Sequence, residues 1–166
     1  KDSNDLTQKS ILKMFALGAE GTLFEKLQQF HIVPLAISYE YDPCDYLKAA
    51  EMQAKRDDAN WKKGPMDDVV SMQTGIMGYK GAIHYQAAPC IDEYLETLKA
   101  ATDMSNGQLL DAICLHIDKE IHRNYRLYAN NYVALDELEG TAAYTDKYTA
   151  EDKAKFDAYL EKQLAK

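Results

Sequence analysis

The chain has 166 residues, 46% of them hydrophobic and 28% charged, and its 27 acidic and 19 basic side chains give a formal net charge of −8. That length suits one globular domain able to bury about two-thirds of its unfolded surface without covalent staples. The acidic balance argues against nucleic acid as a partner, because phosphodiester binding needs clustered Lys and Arg, and it disfavours broad attraction to anionic lipid except through a local patch that opposes the mean.

Cys44, Cys90 and Cys114 are odd in number, widely spaced and free of any Cys-x-x-Cys pair. This pattern suits reduced cytosolic thiols, and the three are expected to be buried small hydrophobes rather than a disulfide framework. No apolar run approaches the roughly 18 residues needed to cross a bilayer, and no signal-peptide pattern opens the chain. The first residue is Lys1 rather than Met, so the expectation is a segment that begins inside a longer protein.

From the start, Lys1 to Asp5 is polar and irregular, and Ile11, Leu12, Met14, Phe15 and Leu17 then form an apolar face that predicts a helix over 7–19. Thr22 with Glu25 reads as a capping box for a short helix over 23–30. The run His31 to Pro43, apolar and β-branched and closed by Tyr, Asp and Pro, predicts a buried strand over 32–40 with polar groups at its C-terminal end. Asp45 should cap a helix to Ala59, whose end carries the solvated charge run Lys55 to Asp58. Trp61 to Pro65 reads as a turn, Met66 to Met77 as a helix, and Ala82 to Ala87 as a second strand between Gly81 and Pro89.

An amphipathic helix follows over 91–101, and Met104 to Gly107 supplies the next turn and cap. The longest helix is expected from Gln108 to about Tyr128, with Leu109, Leu110, Ile113, Ile117 and Ile121 inward, and Thr149 caps a last helix to Lys166. The fold class is therefore α/β: a helix-rich chain with an incomplete mixed sheet flanked by helices, further strands lying upstream and an edge left open. The segment 1–45 reads as a core piece and 46–166 as a helical extension with a further strand near 82–87, all within one domain.

The wording of several blocks resembles the glycerolipid acyltransferases, the superfamily of glycerol-3-phosphate and lysophosphatidate acyltransferases. Leu6-Thr7-Gln8-Lys9 is similar to the family's Leu-Thr-Pro-Lys segment, with Gln8 in place of Pro. Ile32-Val33-Pro34 is similar to its Val-Pro strand, and Pro89-Cys90-Ile91 to the close of its later strand. Ile121 to Tyr128 and Asn131 to Ala134 resemble C-terminal sequence of bacterial members. Glu20-Gly21-Thr22 copies the third block's wording but lies too close to Pro34 and lacks a following Arg, so that block is expected upstream, with Lys1-Asp2 as its tail.

The resemblance implies the C-terminal portion of an O-acyltransferase. The parent would move a fatty acyl group from acyl-CoA or acyl carrier protein, as co-substrate, to a glycerol phosphate or lysophospholipid. It also implies a cytoplasmic protein in peripheral contact with the inner face of the membrane, with no further cofactor. The family's catalytic His-x4-Asp block is missing: Ala36, Pro89, Ile121 and Leu127 stand at that offset from His31, His84, His116 and His122. No catalytic residue is therefore assigned in this chain, and the segment alone is expected to be inactive, for want of an oriented base.

The substrate-binding candidates are Lys9, where a helix start and a cation can hold phosphate, with Val33 and Pro34 in the strand and Ser38, Tyr39 and Glu40 at its carboxyl end. For Lys9 the plain alternative is a solvated lysine, and for Val33, Pro34 and Ile37 a buried strand. Arg123 and Arg126 could meet phosphate from one helical face, though surface salt bridges are the commoner use of such a pair. Tyr125, Tyr128 and Tyr132 read as packing groups. Metal is not expected, since Cys114, His116 and His122 point to different faces of a helix. The opposed reading of the whole chain is a non-catalytic helical interaction domain.

Overall fold

The computed structural model describes residues 6–100 and 104–166. The polar start, the expected block tail at Lys1-Asp2 and the end of the helix expected to reach 101 lie outside the described residues. In order, the elements are α1 (Lys9–Leu17), α2 (Leu23–Gln28), β1 (Leu35–Tyr39), α3 (Asp45–Asp57), α4 (Asp67–Met77), β2 (Ile83–Ala87), α5 (Asp92–Lys99), α6 (Asn106–Arg123), α7 (Ala129–Glu139) and α8 (Ala150–Leu164). The helices expected from the apolar spacing are present, and α7 is an addition to them. The chain forms two compact units, Lys1–Ile37 with Tyr85–Tyr125, and Ser38–His84 with Arg126–Lys166.

The first unit is built on apolar burial. Leu12 of α1, Leu27 of α2, Leu95 of α5 and Leu109, Leu110, Ile113 and Ile117 of α6 form one cluster with Ile91 and Cys114. The three-and-four spacing on α6 is what presents a continuous stripe to α1. Ser105 caps α6, accepting the Gln108 N–H while Gln108 accepts the Ser105 N–H at 3.0 Å. Gln8 gives α1 no side-chain cap. Instead the buried Asp118 of α6 accepts the Thr7 N–H and hydroxyl at 2.8 and 2.7 Å, tying the chain just before α1 to α6.

The second unit is held differently. Helices α3, α4 and α8 contain no fully buried residue. The buried carboxylate of Asp136 accepts from the Thr141 hydroxyl at 2.8 Å, the Ala143 N–H at 2.9 Å and the Tyr148 hydroxyl at 2.9 Å. Tyr159 packs on Tyr41 with ring centroids 4.2 Å apart and donates to Asp45 at 2.5 Å. Asp45 is the first residue of α3 rather than its cap; Asp42 takes the capping part by accepting the Cys44 N–H at 2.9 Å. Gly140, at φ 63°, ends α7 in the left-handed region that glycine enters without a Cβ penalty.

β1 and β2 pair directly in a two-stranded antiparallel sheet, with Ala88 N–H donating to Pro34 O and Glu40 N–H to Ala82 O, both at 2.9 Å. This register sets Ile37 opposite Tyr85 and Tyr39 opposite Ile83. The expectation of a strand buried through Val33 and Ile37 fails: Ala36 and Ser38 are buried, while Val33 and Ile37 are 49% and 38% exposed. Strand alternation puts the small residues inward and the branched and aromatic ones outward. Cys114 is buried as expected, whereas Cys44 and Cys90 are only partly so.

Candidate functional site

The residues expected to meet substrate at the end of β1 are largely engaged by the fold itself. Ser38 Oγ accepts the Arg126 N–H at 2.9 Å and its carbonyl accepts the Tyr128 hydroxyl at 3.3 Å. Glu40 accepts the Asn130 side-chain amide on its carbonyl and the Ala82 N–H on its carboxylate, the latter at 2.8 Å. Tyr39 is exposed, with the Lys80 ammonium 5.9 Å from its ring centre. Pro34 is buried and Val33 faces outward, so these two neighbours share no surface.

Arg126 lies beyond the end of α6 at Arg123, so the expected pair on one helical face does not form. Arg123 pairs instead with Glu120 at 2.6 Å. Of the tyrosines expected to pack, Tyr128 bonds to Ser38 and Tyr132 meets Tyr144 at 5.6 Å, but Tyr125 is exposed. Lys9 stands in the first turn of α1, where its ammonium pairs with Asp111 of α6. An anion at that helix start would have to compete with this carboxylate.

One turn further along α1 the environment changes. An open cleft of about 510 Å³ in the first unit is lined by Lys13, Ala16 and Leu17 of α1, Gly21, Thr22, Leu23 and Lys26 at α2, and Asn106 and Leu110 of α6. Its floor is apolar and two ammonium groups flank it. Among the described residues neither Lys13 nor Lys26 has a carboxylate at ion-pair distance, unlike Lys9. The carboxylate of Glu25 accepts from Thr22, which lines the same cleft. An apolar floor with cationic groups suits an amphiphile with an anionic head.

A second arrangement went unseen in the sequence. His31 Nδ1 lies 2.5 Å from Asp92 Oδ2, although 61 positions separate the two. The pair forms through tertiary structure, outside the His-x4-Asp spacing that none of the four histidines has. Ile91 N–H donates to Ile32 O at 2.9 Å and sets the two segments side by side. The imidazole is nonetheless 74% exposed, and neither residue lines the cleft beside Lys13.

Another cleft of the same unit, about 330 Å³, is lined by Cys90, Glu93, Tyr94, His116, Glu120 and Arg123, with Pro89 and Thr97. His116 stacks on Tyr94 at 3.8 Å, and burial lowers its pKa, with Arg123 and Lys119 acting in the same sense against Glu120. A neutral stacked imidazole follows, which is a packing role. Among the described residues no helix is long and apolar enough to cross a membrane. Comparisons of the chain with protein-family models, curated proteins and solved structures return no match.

Proposed function

We propose that this chain is the C-terminal portion of a glycerolipid-type O-acyltransferase, which contributes substrate binding rather than the oriented base. The acyl donor is acyl-CoA or acyl carrier protein and the acceptor a glycerol phosphate or lysophospholipid. The order of the sequence blocks motivates the reading, and one structural observation carries it: the cleft where Lys13 and Lys26 border Ala16, Leu17, Leu23 and Leu110. A phosphate head and an acyl chain need those two surfaces together. Lys9 would join such a site by exchanging Asp111 for the acceptor's phosphate, and Lys13, four residues on, lies on the same helical face.

His31 and Asp92 do not alter the expectation of inactivity for this segment, because the pair lies outside the cleft and its imidazole is mostly exposed. A base that serves acyl transfer must reach the acceptor hydroxyl within about 2.6–3.2 Å. The opposed reading, a non-catalytic interaction domain, draws on the second unit, where Val69, Met72, Ile76 and Met77 of α4 are exposed.

The test is a titration of the 166-residue chain with lysophosphatidate and with long-chain acyl-CoA, followed by fluorescence or calorimetry. Saturable binding should weaken by about ten- to a hundredfold in the Lys13→Glu, Lys26→Glu double variant, as expected for losing charge-assisted contacts. Binding that ignores this charge reversal would remove the cleft from the argument. Acyl-transfer turnover by the 166-residue chain alone would overturn the expectation of inactivity.

A further inference from the structure

We propose that His31, Cys90 and Asp92 form a binding site for one divalent transition-metal ion of the zinc class, independent of the lipid cleft. One ligand atom from each residue lies within 4.8 Å of the other two. Three different elements of the fold bring them there. His31 ends the turn after α2 at φ 47°, Cys90 follows β2, and Asp92 opens α5. The backbone bond from Ile91 to Ile32 clamps the residues adjacent to all three, and Ile91 itself is fully buried in the core.

The donor set favours this class of ion over others. Thiolate sulfur, imidazole nitrogen and carboxylate oxygen together suit Zn²⁺ or Co²⁺, whereas Ca²⁺ and Mg²⁺ take oxygen almost alone. Zinc–ligand bonds of about 2.0–2.3 Å place neighbouring tetrahedral donors roughly 3.3–3.8 Å apart. No two of the three donors are more than 4.8 Å apart, about an ångström beyond that spacing, and the 2.5 Å contact between His31 Nδ1 and Asp92 Oδ2 would open by a similar amount as the exposed ring turns toward the ion.

A further observation points to a cation. Among the described residues, Asp92 Oδ1 is buried without a hydrogen-bond partner, while Oδ2 meets His31. A buried carboxylate oxygen lacking a donor is destabilising, and a metal ion supplies what it lacks. With three protein ligands, a fourth position is left to water, the composition of open rather than closed zinc sites.

The experiment uses the metal-free 166-residue chain, titrated first with Co²⁺ and then with Zn²⁺. The expected result is one ion per chain, a sulfur-to-cobalt charge-transfer band in the near ultraviolet, and displacement of cobalt by zinc. His31→Asn, which tolerates the left-handed backbone, Cys90→Ser and Asp92→Asn should each weaken binding by more than about a hundredfold, beyond the range of changes around a metal's ligands. Cys114→Ser should leave affinity unchanged.

A measurement on the unaltered chain avoids any question of misfolded variants: saturating zinc should slow alkylation of Cys90 at least tenfold and spare Cys44. No stoichiometric cobalt binding, a charge-transfer band that survives Cys90→Ser, or equal alkylation of Cys90 with and without zinc would each overturn the proposal. In that event His31 and Asp92 form a surface ion pair and Cys90 is a bystander.

Discussion

Leu95 and Ile113 in the first unit are completely buried, while in the second unit Ile76 and Met77 are 72% and 80% exposed. The two units draw on similar side chains and bury them to different extents, although Val133 of the second is fully buried and Leu17 of the first is 83% exposed. In the first, α1, α2, α5 and α6 oppose their apolar stripes, so each buried leucine or isoleucine meets others. In the second, α4 carries Val69, Val70, Met72, Ile76 and Met77 outward, and order comes from Asp136, Ser38, Asn130 and Tyr159 through hydrogen bonds. Apolar content makes a core only where another apolar face lies opposite. An outward apolar face is where a partner surface would be sought.

The sharpest test of this contrast deletes equivalent atoms from each unit. Ile113→Ala should destabilise by about 2–5 kcal/mol, because removing buried methylenes leaves a cavity as well as losing transfer free energy. Ile76→Ala should stay within about 0.5 kcal/mol. Urea denaturation of both variants checks this, and equal losses would show that α4 is covered in solution.

Next in size is the polar centre of the second unit. Burial pushes the Asp136 carboxyl up, but bonds from Thr141, Tyr148 and the backbone outweigh it and hold the pKa below its ordinary 3.8. The folded state therefore binds this proton less readily than the unfolded chain does. The resulting stability is present above about pH 4 and lost as pH falls through the lower folded value. Asp136→Asn should lower stability at pH 7 and flatten that acid limb, read by amide exchange at residues 129–148. An unchanged acid limb would remove Asp136 from the account.

The alkaline side tests the same unit with a smaller effect. Burial and the bond to Asp45 raise the Tyr159 hydroxyl far above its ordinary 10. Its contribution is complete below pH 10 and lost as pH rises beyond it, since the unfolded tyrosine ionises first. Tyr159→Phe should lessen the loss of stability between pH 10 and 11.5, followed by circular dichroism.

Helix caps should show the smallest difference. Thr22 in the first unit and Thr149 in the second both form reciprocal boxes, with Glu25 and Asp152. Replacing either by Ala should cost about 1 kcal/mol, because the missing acceptor is local in both cases. A marked inequality in thermal melts would mean that the caps also carry tertiary contacts.

These same caps explain much of what was legible beforehand. Thr22, Ser105 and Thr149 mark their helices by contacts with residues three positions on, and α6 shows its inner face by spacing alone. α7 was missed for an identifiable reason: its buried positions are Asn130, Val133 and Asp136, so two of three are polar and hydrophobic periodicity carries no signal. β1 was found, but its orientation was misread. A run of Ile, Val, Leu and Ile looks buried on both faces, yet the structure turns Pro34, Ala36 and Ser38 to the interior and Val33, Leu35 and Ile37 outward.

The candidate sites divide along the same line. Lys9 could be placed at a helix start from the sequence, but not beside Asp111, and Lys13 and Lys26 could not be joined across a cleft. The contact between His31 and Asp92 spans 61 residues and has no spacing rule. Capping and helical amphipathicity depend on neighbours within about four residues, so the sequence by itself determined where most helices begin and which stripe of α6 turns inward. Pairing of distant charges, the outward face of the sheet and the meeting of His31, Cys90 and Asp92 depend on which segments pack together. Those were decided only by tertiary structure, since closing long loops is paid back by the whole core rather than by any one pair of residues.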